Sequence, residues 1–155
     1  MRNICNSEDI LDTRDIDARI YELESTIEDY HTEKNDLADE INDIHAEHPE
    51  DESTLRLQEL EKELSELDYP EDEIAELETL KKLMEEVRNY TREDGDLIRD
   101  SYFEDYARDL VEDIGDIPKD LPGYIVIDWE ATSDNLRQVY AGVDYDGVTY
   151  LVSCS

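Results

Sequence analysis

A chain of 155 residues with forty-six Asp and Glu against fourteen Lys and Arg carries a formal net charge of −32. That balance excludes a protein that grips nucleic acid or anionic lipid, since both demand clustered Lys and Arg, and it predicts basic partners met by fast, salt-sensitive association. Blocks of like charge ordinarily go with disorder, but 38% hydrophobic residues and ten tyrosines at regular spacings suit one domain or two small ones with a modest core.

The opening stretch, MRNICNSEDILDTRD, lacks the apolar run of a signal peptide, and no segment approaches transmembrane length. The expected location is the cytoplasm. Cys5 and Cys154, one near each end, are expected as free thiols there.

From about Asp15 to Ala46, Ile16, Ile20, Leu23, Ile27, Tyr30, Lys34, Leu37, Ile41 and Ile44 follow one another at alternating steps of four and three. This is a heptad seam and predicts a long helix. Lys34 alone breaks the apolar rule, and a lone polar residue on a seam sets register. Asp12 or Thr13 can cap the start, and His48-Pro49-Glu50-Asp51 ends it.

A second helix over about 54–67 carries Leu57, Leu60, Leu64 and Leu67, with Ser53 or Thr54 near its cap. Pro70 suits the first position of a third helix over about 71–90, whose apolar face is Ile74, Leu77, Leu80, Met84 and Val87. The short connection at 47–53 favours folding the second and third helices back antiparallel on the first. Parallel pairing with a second copy is the rival, so a homodimer stays open.

Beyond Gly95 the pattern changes. A helix over 102–114 puts Phe103, Tyr106, Leu110 and Ile114 on one stripe, and Gly115, Pro118 and Pro122 shape a connector. Tyr124 to Ile127 reads as a short strand. Asp128 can cap a helix through about Tyr140, and GVDYDGVTYLV reads as a hairpin turning at Asp146-Gly147. The expected fold is therefore mainly α: a helical hairpin or coiled-coil arm at 1–94, then a small α+β module at 95–155.

Within this second part, Ile117-Pro118, Tyr124, Asp128-Trp129-Glu130, Leu136, Tyr140 and Gly147-Val148-Thr149-Tyr150 stand in an order that resembles the C-terminal part of ArdA-type antirestriction proteins. The resemblance spans about 102–152, a third of the chain. It implies an ArdA-like fold for the module, a phage or mobile-element origin, hence a host-cell cytoplasm, and an acidic display that imitates DNA and blocks restriction enzymes. Onto the matching helix it carries Glu104, Asp105, Asp109, Glu112 and Asp113. The chain departs from the family upstream, where the heptad-patterned arm replaces the expected N-terminal domains.

Magnitudes allow mimicry without requiring it, since any soluble coiled coil has a charged outer face. Eleven acids lie between Asp15 and Asp43, about one per 4 Å of helix axis at ~1.5 Å per residue, against about 3.4 Å per phosphate along one DNA strand. The candidate partner-binding carboxylates of the arm are Glu22, Glu24, Glu28, Asp29, Glu33, Asp36, Asp39, Glu40 and Asp43 on the first helix. Glu59, Glu63 and Glu66 follow on the second, then Glu71, Asp72, Glu73 and Glu76 on the third. The expected function is non-catalytic inhibition of a host restriction enzyme or CRISPR effector, by filling the cationic channel of that basic DNA-binding protein. The rival readings are a coiled-coil assembly factor acting through the seam and an acidic neutraliser of a basic toxin or regulator.

No catalytic constellation, cofactor or metal site is expected. His45 and His48 beside Glu47 make an H-x-x-H pair without further ligands. Asp144, Asp146 and Gly147 fit a hairpin turn better than a calcium loop, whose terminal Glu is missing. Trp129 and most tyrosines read as core, while Tyr21, Tyr69 and Tyr90 fall off the apolar stripes and mark candidate contact patches.

Overall fold

A computed structural model describes residues 4–47 and 55–154. The described elements are β1 (Ile10–Asp12), α1 (Thr13–Glu47), α2 (Leu55–Glu66), α3 (Glu71–Arg88), β2 (Asp96–Arg99), α4 (Phe103–Asp113), α5 (Trp129–Arg137), β3 (Tyr140–Tyr145) and β4 (Val148–Ser153), with a 3-10 turn at Asp100–Tyr102. The architecture is mainly helical with one small antiparallel sheet. The expected helix stop at His48–Asp51 and the Ser53 or Thr54 cap lie outside the described residues.

By packing, the chain divides into one unit of Met1–Ile20 with Glu78–Ser155 and another of Tyr21–Leu77. The expected boundary near residue 94 thus falls inside the first unit, because β1 near the start of the chain is a strand of the same sheet as β2, β3 and β4.

That sheet runs β1-β2-β4-β3, every neighbouring pair antiparallel. Ile98 and Leu151 face one another on one side and join Phe103 and Ala107 of α4 in a buried cluster, with Tyr102, Tyr106, Leu136 and Tyr140 packed around it. Alternation sends Leu97, Val152, Tyr150 and Val143 to the opposite side, and all four are buried. The Tyr145 and Tyr150 hydroxyls there donate to the carbonyls of Ile4 (3.0 Å) and Glu8 (2.6 Å), so the N-terminal segment closes this face. Buried Ile16, Leu80, Leu83, Met84 and Val87 complete the apolar interior of the unit.

Local chemistry explains the joints. The Asp12 carboxylate accepts the Arg14 amide at 2.8 Å and starts α1. The buried Thr13 hydroxyl accepts from the Gly95 amide, and the Thr13 amide donates back to the Gly95 carbonyl, both at 3.0 Å. Arg88 ties Asp94 (2.9 Å) to Asp17 (3.2 Å), and its guanidinium is held above its usual pKa by the Asp94 hydrogen bond first and the Asp17 charge next. Asp128 caps α5 by accepting from Ala131. The hairpin turns on Asp146 (φ 48°) and Gly147 (φ 85°), as a two-residue turn with both central φ values positive requires.

Two expectations need correction, and two strands were not expected. Tyr124 to Ile127 forms no strand: Tyr124 is 86% and Val126 87% exposed, with no ladder partner. Residues that favour a pleated surface form a strand only where a neighbour supplies one. The helix expected through Tyr140 ends at Arg137, and Tyr140 opens β3 instead. The strands β1 and β2 carried no readable period, being three and four residues long.

In the second unit, α2 and its following turn run antiparallel to α1. Arg56 meets Glu40 at 2.9 Å, and Tyr69 meets Tyr30 edge-to-face with centroids 5.7 Å apart. Leu23, Leu57, Leu60 and Pro70 are buried there. Along the rest of the α1 seam in this unit, Ile27, Tyr30, Leu37, Ile41 and Ile44 are half-buried and Lys34 is exposed. The Ile74 amide donates to the Pro70 carbonyl at 3.0 Å, so Pro70 stands at the cap position one place before α3 rather than as its first helical residue.

Candidate acidic interaction surface

A helix with a four-three seam has other columns, and their occupants decide what the helix shows to solvent. At about 100° per residue, Glu22, Asp29, Glu33, Asp36, Glu40, Asp43 and Glu47 fall within an arc of about 80°. The arc is centred roughly 110° from the seam. All seven are exposed, and from Asp29 to Glu47 they repeat at steps of four, three, four, three and four. Asp39 and Glu28 lie about 40° and 60° beyond the ribbon's edge, and Glu24 stands on the far side.

Such a ribbon works against the helix that bears it. Its five like-charge neighbours at three- and four-residue spacing each destabilise by about 0.2–0.5 kcal/mol at low salt. The penalty comes to roughly 1–2.5 kcal/mol. Opposite charge offsets little of it. Arg56 reaches Glu40 (2.9 Å) and Glu59 (3.7 Å), and Lys62 reaches Glu66 (3.8 Å). Those groups are about half or more exposed, where an ion pair is worth about 0–1 kcal/mol. The guanidinium of Arg56 is raised above its usual pKa, chiefly by its hydrogen bond to Glu40 and then by that carboxylate's charge.

Residues 21–77 contain twenty-two acids and three bases, a net of −19, whereas the other ninety-eight residues contain twenty-four acids and eleven bases, a net of −13. Of the twenty-one expected carboxylates, Glu73 and Glu76 are half-buried and the rest exposed. Glu71, Asp72 and Glu73 occupy the first turn of α3, where the helix dipole favours anions. Glu104, Asp105, Asp109, Glu112 and Asp113 are exposed along α4 in the sheet-containing unit, Glu112 in reach of Arg108 at 3.7 Å.

Besides the Glu40–Arg56–Glu59 contact, a hollow in the helical unit brings carboxylates from separate segments together. Asp29 and Glu33 of α1, Asp68 of the α2–α3 turn and Glu73 of α3 line this hollow of about 330 Å³, walled by Tyr30 and Tyr69. Asp68 was missed as a site residue. It lies between helices, and nothing local announces that the turn stands beside a point on α1 some forty residues earlier.

The tyrosines divide. Tyr145 and Tyr150 are buried, whereas Tyr21 (74%), Tyr69 (60%) and Tyr90 (43%) are exposed, as their positions off the stripes predicted. Trp129 is half-buried, with the Arg108 guanidinium 5.2 Å from its ring. His45 is exposed and its expected neighbour His48 lies outside the described residues. Among the described residues no group of His, Cys, Asp and Glu is placed to hold a metal ion, and no helix is long and apolar enough to cross a membrane. Cys5 and Cys154 are free. No protein-family model, curated protein or solved structure matches the chain.

Proposed function

We propose that this chain is a non-catalytic DNA mimic, encoded by a phage or mobile element, that fills the cationic DNA channel of a host restriction enzyme or CRISPR effector. The observation that carries this reading is the ribbon on α1. A helix selected only for solubility would intersperse Lys with Glu and gain from the pairing. This one keeps seven carboxylates in one arc at a penalty to its own stability. Within residues 21–47 the ten acids of α1 average about one per 4 Å of axis, close to the ~3.4 Å of phosphates on one strand. The likeness of 102–152 to ArdA-type proteins and the exposed α4 carboxylates point the same way.

Association by this route releases counterions from the partner's channel and falls steeply with salt. The test is competition: a DNA-binding nuclease, labelled duplex DNA and increasing amounts of the chain, over a salt series. The wild type is expected to displace duplex. Charge reversal of Glu24, Glu28, Asp29, Asp36, Asp39 and Asp43 to Lys is expected to abolish displacement while helicity persists. Full displacement by that folded variant would overturn the mimicry.

A further inference from the structure

The connector between α4 and α5 holds an apolar run that the fold leaves in water. Tyr124, Ile125 and Val126 are exposed in succession, and Ile127 after them is half-buried. Single exposed apolar residues are ordinary on a protein surface, but a consecutive run costs solubility unless a partner covers it.

The backbone of the run is set for such a partner. The Ile125 amide donates to the Pro122 carbonyl at 2.9 Å and closes a turn. Beyond it, exposure alternates from 46% at Ile125 to 87% at Val126 and half-buried at Ile127, the period of an extended chain. Asp128 continues extended at φ −82° and ψ 95°. In such a chain successive N–H and C=O groups point to opposite edges. The edge of the Ile125 amide is used by the chain's own turn. The opposite edge carries Val126 N–H, Val126 C=O and Asp128 N–H, and among the described residues none of these three makes a main-chain hydrogen bond.

Charge selects what can pair there. From Asp109 to Leu136 the chain has eight acids and one base, Lys119. The arginines on either side are engaged, Arg108 with Glu112 at 3.7 Å and Arg137 with Asp100. Asp116, Asp120, Asp128 and Glu130 flank the apolar run in sequence, and all four are exposed. A second copy would bring the same acids and another net charge of −32, and like charges opposed across a strand pair destabilise it.

The geometry points to strand addition: the free edge at Val126–Asp128 pairs with an extended segment of alternating apolar and basic residues on the partner. Main-chain hydrogen bonds set the register, Tyr124 and Val126 supply apolar contact, and the flanking carboxylates select Lys and Arg. The inference rests on the reading of the chain as an inhibitor of a basic protein. It adds an attachment that salt does not screen, placed in the sheet-containing unit rather than on the ribbon.

The experiment titrates the full chain with a decapeptide of alternating Lys and Val at ~0.15 M salt and follows amide exchange residue by residue. The peptide is expected to protect the amides of Val126 and Asp128 and to leave that of Ile127, on the other edge, unchanged. The same peptide N-methylated throughout keeps its charge and side chains but cannot pair, and it should protect neither. Deca-lysine, charged but without strand-forming residues, should also protect neither. Val126→Ser changes an exposed side chain and keeps the main chain. It should raise the peptide concentration for half-maximal protection at Asp128 about 10-fold, roughly the worth of one buried valine. Absence of the alternating protection, or equal protection by the N-methylated peptide, overturns strand addition. Protection that grows with chain concentration when no peptide is present gives the edge to a second copy and overturns the basic partner. DNA takes no part in this titration. A chain that shows the protection yet fails to displace duplex therefore keeps the strand addition and loses the mimicry.

Discussion

Among the described residues nineteen apolar side chains other than proline are buried; sixteen belong to the sheet-containing unit, while the helical unit holds three of them and −19 of the −32 charge. The first unit is an ordinary solution to folding: both faces of a small sheet covered, hydroxyls of buried tyrosines satisfied by backbone carbonyls, a capped helix and a tight turn. The second relies on three buried leucines, a half-buried seam and the local bonding of its helices. Helical backbone satisfies its own hydrogen bonds, so a helix can carry a polar exterior that a thin sheet could not. The difference teaches why the charge sits where it does. Carboxylates added to a unit with a deep core would endanger little and display little, whereas a helix presents them at fixed rise and angle.

The largest effect should come from the core of the sheet-containing unit. Phe103 is 1% exposed, in contact with the rings of Tyr106 and Tyr140 (centroids 6.0 and 5.0 Å) and with the Arg137 guanidinium 5.0 Å from its own ring. Phe103→Ala removes all three contacts and leaves a void, a loss of about 3–5 kcal/mol, readable as a drop in the urea midpoint. If the comparison is right, near-ultraviolet signals of Trp129 and the core tyrosines vanish first, and the helical signal from residues 21–77 outlasts them. Simultaneous loss of both would break the comparison.

A smaller effect separates the units by ionic strength. Raising salt from ~0.01 to ~1 M shortens the screening length from about 30 to about 3 Å. It should recover much of the ribbon's roughly 1–2.5 kcal/mol of self-repulsion. Hydrogen exchange resolved by segment is expected to show added protection in α1 beyond Tyr21 and in α2, and little change in β2 and β4. Asp36→Lys, which interrupts the ribbon at its centre, should blunt that salt response. Equal gains in both units would mean that the ribbon carries no special penalty.

The same contrast explains what could be read from the sequence. The long helices were legible because Leu23, Leu57, Leu60 and their spaced neighbours repeat a helical period over many turns, and the period is a property of the local chain. The Asp128 cap and the Asp146-Gly147 turn were legible for the same reason, each being a few adjacent residues with one dominant chemistry. The strands β1 and β2 exist because Leu97 finds Leu11 on one side and Val152 on the other, partners far away in sequence. Tyr124 to Ile127 has the residues of a strand and no such partner. At the candidate site, the carboxylate row was visible from spacing alone, but the meeting of Tyr30 with Tyr69 and Asp68 required knowing how α2 and its turn fold back.

The smallest predicted effect is confined to the sheet-containing unit at high pH. Tyr106 packs against the Ile98–Leu151 cluster, and its phenol is pushed up to about 12, by burial first and by the neighbouring Tyr140 next. An unfolded chain releases that proton near pH 10, so from about pH 10 to 12 the unfolded state holds fewer protons than the folded one. Stability contributed by the neutral, buried phenol is therefore complete below pH 10 and lost as pH climbs toward 12. Tyr150 is shifted in the same direction, again chiefly by burial, and adds to the slope. Tyr106→Phe cannot ionise. At pH 8 it should be less stable than wild type by about 1 kcal/mol, the hydrogen bond with Tyr140 being lost, and by pH 11 the gap in urea midpoints should close or reverse. A gap that stays constant across that range would place the Tyr106 hydroxyl in water and remove it from the packed face of the sheet.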